Sequence, residues 1–109
     1  MGRTKVAKTL NWSVQSQVDI DAITDFYDYR NGTPDYSNRL IREFQEKMKS
    51  VVDLPYLGQK WGKKGFRYVI VHPFQLFYRV TKTEIIVVTV WDSRRDPKAL
   101  KKYLRRLDS

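Results

Sequence analysis

Along the chain the apolar positions change their spacing several times, and each change marks a different element. In KVAKTLNW, residues 5–12, Val6, Lys8 and Leu10 fall on one side and Lys5, Ala7, Thr9 and Asn11 on the other, which predicts a strand. From Ser13 the spacing lengthens. Val14, Val18, Ala22, Ile23, Phe26 and Tyr27 recur at helical steps and define one stripe, predicted to be the buried face of a helix. Asn31-Gly32 supplies a left-handed stop. Thr33 then offers a hydroxyl to free backbone N–H groups and Pro34 suits a first helical position, so a second helix starts there. Its stripe, Leu40, Ile41, Phe44, Met48, Val51 and Val52, runs to residue 52. So short a connection predicts an antiparallel helical hairpin.

Residues 53–65, DLPYLGQKWGKKG, carry Pro55, Gly58, Gly62 and Gly65 and read as an irregular connection. Alternation returns in FRYVIVH from residue 66, FQLFYRV from 74 and EIIVVTVWD from 84. The breaks at Pro73 and Lys82-Thr83 are too short for crossover helices, so these strands form an antiparallel meander. The last of them is apolar on both faces and is predicted to be central. Beyond Trp91-Asp92 the chain drops at once into Arg94-Arg95-Asp96-Pro97. Asp96 as N-cap and Pro97 as first helical residue open a final basic helix with an apolar stripe of Leu100, Tyr103, Leu104 and Leu107. The order strand, helix, helix, strand, strand, strand, helix predicts one α+β domain over residues 1–109, its helices largely on one sheet face.

Composition narrows the function. A hydrophobic content of 41% with 14% aromatic residues suffices for a packed core, and 30% charged residues describe a solvated surface. No run approaches the roughly 18–20 apolar residues of a membrane helix, and MGRTKVAKTL has no apolar signal core. A cytoplasmic protein without a membrane partner is expected. The absence of cysteine excludes disulfides, thiolate nucleophiles and cysteine-ligated metals, and the lone His72 cannot build a histidine-rich metal site. Acids are not paired at a spacing that suggests glycosidase or two-metal chemistry, and no phosphate-cradling glycine motif or nucleophile elbow is present. Neither a metal nor a cofactor is expected. The net charge of +9, with a pI near 9.9, favours a polyanion or an acidic protein as partner.

The pattern also says where cations gather. If the hairpin covers one sheet face, the other carries Gln75, Phe77 and Arg79, together with either Arg67, Val69 and Val71 or Phe66, Tyr68, Ile70 and His72. Arg94 and Arg95 stand just past the end of a rigid strand, and Lys60, Lys63 and Lys64 surround Trp61. Arginine grips phosphate through paired charge-assisted hydrogen bonds, and aromatic rings stack on unpaired bases. The sequence thus allows a concave basic surface on which arginines from different strands converge.

The order of elements and the words on them resemble the RelE/ParE superfamily of toxins from bacterial type II toxin-antitoxin systems. The likeness runs from KTLNW through LPYLGQKW to FRYVIVHPFQLFYRVTKTEIIVVTVWDSRRDPKAL. Its most specific part is Arg67, then Tyr78-Arg79, then an apolar strand closing in Trp-Asp-x-Arg-Arg-Asp-Pro. The resemblance implies a toxin that a cognate antitoxin wraps and neutralises, the pair reaching operator DNA only through the antitoxin. RelE-like members cut mRNA on the ribosome without a metal, and ParE-like members inhibit DNA gyrase. Carried over from RelE-like enzymes, Lys60, Lys63 or Lys64 would approximate the active-site lysines, Arg94 the arginine after the last strand and Tyr103 the C-terminal tyrosine. Arg67, Arg79 and Arg95 would join Lys60 and Lys64 in holding the target. Gln75 departs from that pattern, standing where RelE-like enzymes carry an arginine just ahead of LFY, and the ending WDSRRDPKAL is closer to ParE-like members. Gyrase inhibition is therefore expected ahead of RNA cleavage, with a plain nucleic-acid-binding domain as a third class.

Overall fold

The computed structural model describes residues 8–107. Its elements are β1 (Thr9–Trp12), α1 (Val14–Asn31), α2 (Asp35–Asp53), β2 (Gln59–Trp61), β3 (Phe66–Val71), β4 (Phe74–Val80), β5 (Glu84–Asp92) and α3 (Pro97–Leu107). The expected strand therefore appears from Thr9, and residues 5–7 of that reading lie outside the described part. The helical hairpin and the meander are as expected. Gln59–Trp61, inside the supposed irregular connection, forms an additional short strand against Phe66–Tyr68. Three residues are too few for alternation to be legible.

The sheet order is β1-β5-β4-β3-β2, with β1 parallel to β5 and every other pair antiparallel. β5 is an inner strand, as its two apolar faces require, although the middle position belongs to β4. Cross-strand partners share a face, so the register resolves which residues do. Phe66 pairs with Arg79, and Arg67 pairs with Tyr78. Arg67 and Arg79 therefore lie on opposite faces. In β5 a bulge makes Val88 the extra residue, since Phe77 pairs with Thr89 and Tyr78 with Val87.

One face, built from Val69, Val71, Phe74, Leu76, Tyr78, Ile85, Val87 and Val90, packs on Leu40, Phe44, Met48 and Val51 of α2. The other face carries Phe66, Phe77, Val88 and Trp91, and α3 covers it with Leu100 and Leu104. The hairpin helices α1 and α2 thus share one face, in keeping with helices largely on one side, while α3 covers the other, which was expected to stay open. Leu104 is fully buried, and an apolar sheet face left in water would have cost about 25 cal/mol for each Å². The basic face expected to stay open is partly closed by this helix.

α1 is rotated from its expected orientation. Its inward residues are Ser16, which is fully buried, with Ile20, Ile23 and Tyr27, whereas Val14, Val18 and Phe26 are 79%, 54% and 56% exposed. Polar anchors set the rotation. β1 stops at Trp12, opposite Val87, leaving the next part of the β5 edge unpaired. Ser13 then gives its N–H to the Val87 carbonyl at 3.0 Å and its hydroxyl to the Val88 carbonyl at 3.1 Å. Nearly two turns on, Asp19 Oδ2 accepts from the Thr89 hydroxyl at 2.5 Å and the Val90 N–H at 3.0 Å. A carboxylate thus stands in for the missing strand, and satisfying those groups outweighs burying the valines.

The helix ends are made locally. Ser13 caps α1 by accepting from Ser16 N–H at 3.1 Å, and Gly32, at φ 70°, ends it with its N–H on the Asp28 carbonyl. α2 begins one residue later than expected, with Pro34 at the N-cap and the Thr33 hydroxyl accepting from Asp35 N–H at 3.4 Å.

Candidate functional site

The cations singled out in the sequence collect at two ends of the sheet. At one end β5 runs out at Asp92, beside Phe74 of β4. Asp92 holds Arg94 at three points: Oδ1 accepts from Arg94 Nε and from its backbone N–H, each at 2.9 Å, and Oδ2 accepts from Nη2 at 2.6 Å. Nη2 also donates to the Tyr27 hydroxyl at 3.3 Å. The arginine hydrogen bond, foremost, holds the Asp92 carboxyl below its usual value, and the same bond, followed by Tyr27, raises Arg94 so that it stays protonated. Arg95 turns the other way, its guanidinium carbon 4.2 Å from the centre of the Trp91 ring. Between α1 and this sheet end lies a cavity of about 290 Å³ floored by Ile23, Phe74 and Val90 and rimmed by Tyr27, Arg94 and Arg95. Nearby, Tyr36 packs on Tyr27 at 4.8 Å between ring centres, and burial pushes its phenol up.

The other end is the β2–β3 hairpin. Lys60 and Arg67 are cross-strand partners there, and Lys63 and Lys64 sit in the connecting turn. A cleft of about 350 Å³ is lined by Tyr56, Lys60, Lys63 and Arg67. The loop ahead of β2 is pinned from below by the fully buried Tyr78, whose hydroxyl accepts from Gly58 N–H at 2.9 Å and donates to the Pro55 carbonyl at 3.0 Å. Arg67 Nη1 donates to the carbonyls of Gly58 at 2.8 Å and Tyr56 at 3.3 Å. Gly58 has no room for a side chain, since a Cβ there would stand 2.6 Å from the Tyr78 hydroxyl.

The two ends are separated by most of the length of β4, from Phe74 at one to Arg79 at the other, roughly 17 Å at ordinary strand rise. Arg94 and Lys63 are therefore not brought together. Tyr103 joins neither, because its hydroxyl donates to the Val88 carbonyl at 3.1 Å under α3, and burial raises its pKa. Arg79 lies over the Phe66 ring at 4.4 Å on the α3 side. Gln75 pairs with Trp91 on that same side. In-line RNA cleavage needs a base, an acid and a charge stabiliser within reach of one phosphate. The residues marked for those roles stand apart.

A model of the family described as the ParE toxin of type II toxin-antitoxin system, parDE, matches residues 10–97. This chain belongs to the ParE toxin family. A solved structure described as the chromosomal ParDE TA system from P. aeruginosa shares the fold, with a TM-score of 0.67 and 24% identity over 77% of this chain and 94% of that one. No curated protein matches the chain in sequence. As a ParE toxin the chain is the toxin component of a type II pair. Among the described residues of this family member, no group of acids and histidine is placed to hold a metal ion, and no helix is long and apolar enough to cross a membrane.

The match places the SRRDP segment, up to Pro97, inside the family's common region. Tyr27, Asp92 and Tyr56 are site residues that the sequence pattern does not mark. Tyr27 sat on a stripe assigned to the core, and a tyrosine that reaches from a helix to a strand-end arginine leaves no local signal. Asp92 was legible in principle: an aspartate two residues before an arginine at a strand end can close a turn on it.

Proposed function

We propose that this ParE family member is held by a cognate antitoxin in the cytoplasm and, when released, inhibits DNA gyrase. The family match over residues 10–97 is the observation that carries the reading. The separation of Arg94, Lys63 and Tyr103 supports it over RNA cleavage, as does Gln75 in place of a strand arginine. The exposed ridge of Val14, Val18 and Phe26 supports a protein partner, because contiguous apolar surface in water favours being covered. Contact with operator DNA would then come through the antitoxin rather than through this chain.

The purified chain is to be assayed on gyrase, following supercoiling of relaxed plasmid and trapped cleavage complexes, beside a translation reaction in which mRNA cuts are mapped. Gyrase inhibition that the protein from the neighbouring open reading frame reverses is the expected result. Ribosome-dependent cuts with gyrase unaffected would overturn the gyrase reading. Loss of those cuts in Arg94→Ala and Lys63→Ala would then assign the cleavage to these residues.

A further inference from the structure

The β2–β3 hairpin places like charges where sheet chemistry disfavours them. Lys60 and Arg67 are directly opposed across the strands, an arrangement that destabilises a pair unless something offsets it. The offset inside the protein is partial. Arg67 meets two carbonyls and the Tyr56 ring, its guanidinium carbon 4.9 Å from the ring centre, but these neutral groups leave its charge in place. The turn, with Gly62 at φ 66° and Gly65 at φ 85°, brings Lys63 to the same cleft. Among the described residues, no carboxylate lines that cleft.

Tyr56 supplies the second observation. Its side chain is 66% exposed although its loop is fastened by Tyr78 and Arg67. With Arg67 against one face of the ring, the remaining surface is presented to solvent in a fixed position. Converging cations beside an open, immobilised aromatic ring are the groups that hold a phosphodiester and stack on its base. An acidic peptide would use the cations without needing the ring. The bases of a duplex are already stacked and cannot reach it.

We propose that this cleft binds a single-stranded nucleic-acid segment, with Lys60, Lys63 and Arg67 on its phosphates and Tyr56 stacked on a base. The site lies at the opposite end of the sheet from Asp92 and Arg94, involves no bond cleavage, and is independent of which cellular target the toxin meets.

The test is fluorescence anisotropy of a short labelled oligothymidylate with the purified full chain, titrated at several salt concentrations. Lys60→Gln with Lys63→Gln is compared with Lys101→Gln and Lys102→Gln, an exposed pair on α3 that removes the same formal charge. The first pair should weaken binding about tenfold or more and flatten the log–log salt slope by about 1.4, and the second should change affinity less than about threefold. Tyr56→Ala should cost about fivefold or more, and Tyr56→Phe should retain binding. Thermal melts establish that each variant is folded. Equal losses from the two lysine pairs would reduce the effect to overall charge and overturn the proposal. So would absence of binding at low salt, or polyglutamate or duplex DNA binding as tightly with no dependence on Tyr56. Gyrase is absent from the assay, so a chain inert on gyrase that still gives this pattern keeps the site and loses only the target.

Discussion

Replacing Tyr78 by Phe removes one oxygen from the fully buried centre of the α2–β2 junction. That oxygen accepts from Gly58 N–H at 2.9 Å and donates to the Pro55 carbonyl at 3.0 Å. The Gly58 donor is enclosed and loses its partner outright, whereas the Pro55 carbonyl is half-buried and can turn towards water. An abandoned buried donor and a lost neutral hydrogen bond together cost about 2–3 kcal/mol. For a small domain with roughly 5–15 kcal/mol in hand, that is a large share. Urea unfolding followed by tryptophan fluorescence should show a lower midpoint at unchanged slope. A pH arm isolates the phenol. Burial, chiefly, raises the Tyr78 pKa above its ordinary value of 10.0, against the Gly58 hydrogen bond and the charge of Arg67. A raised folded value means stability that is whole below the unfolded pKa and lost as pH rises through the folded one. The native chain should therefore weaken as pH climbs above 10, and Tyr78→Phe should weaken less steeply, with Tyr36 and Tyr103 retaining their shares. A stability change below about 0.5 kcal/mol, with an unaltered alkaline profile, would refute the pinning of the loop by this hydroxyl.

Gly58→Ala should destabilise by about 1–3 kcal/mol or more, read as a lower melting temperature, because its Cβ would meet the Tyr78 hydroxyl at 2.6 Å and the Tyr68 carbonyl at 2.7 Å. Asp19→Ala should cost about 1.5–3 kcal/mol in urea unfolding by stranding the Thr89 hydroxyl and the Val90 N–H, and Asp19→Asn should recover part of this. The Asp92 carboxyl, held below 3.8 mainly by its arginine hydrogen bond, contributes stability above that value that is lost as pH falls through the folded pKa. In Arg94→Ala an NMR titration should accordingly find Asp92 moved upward, and an unmoved titration would deny the clamp. Val18→Ser should leave stability within about 0.5 kcal/mol despite its place on an apolar stripe, whereas Phe44→Ala, at 1% exposure, should cost about 3–5 kcal/mol. Melting curves of the two variants decide whether α1 is oriented as described.

The spacing of α2 is legible because its core contact is apolar throughout: Leu40, Phe44, Met48 and Val51 meet the sheet with no competing polar demand. α1 misleads for the opposite reason. Its inward face holds Ser16, and Asp19 is tied to β5, so its exposed valines imitate a core stripe. Near the site, the cations themselves were visible at Lys60, Lys63, Arg67, Arg94 and Arg95. Their partners were not. Asp92 and Tyr27 take up Arg94, and Tyr56 with the Gly58 carbonyl takes up Arg67, through contacts that cross between elements.

From local order alone the chain determined its elements other than the short β2, its α+β class, its antiparallel meander and its basic surface, because periodicity and turn chemistry act within a few residues of one another. Tertiary structure decided the rest. It divided the helices between the two sheet faces, parted Arg67 from Arg79 by register, and set Arg94 and Lys63 at opposite ends of β4. The physical reason is that burying apolar faces and satisfying strand edges depend on groups far apart in sequence, such as Asp19 and Val90, whose pairing no window of neighbouring residues contains.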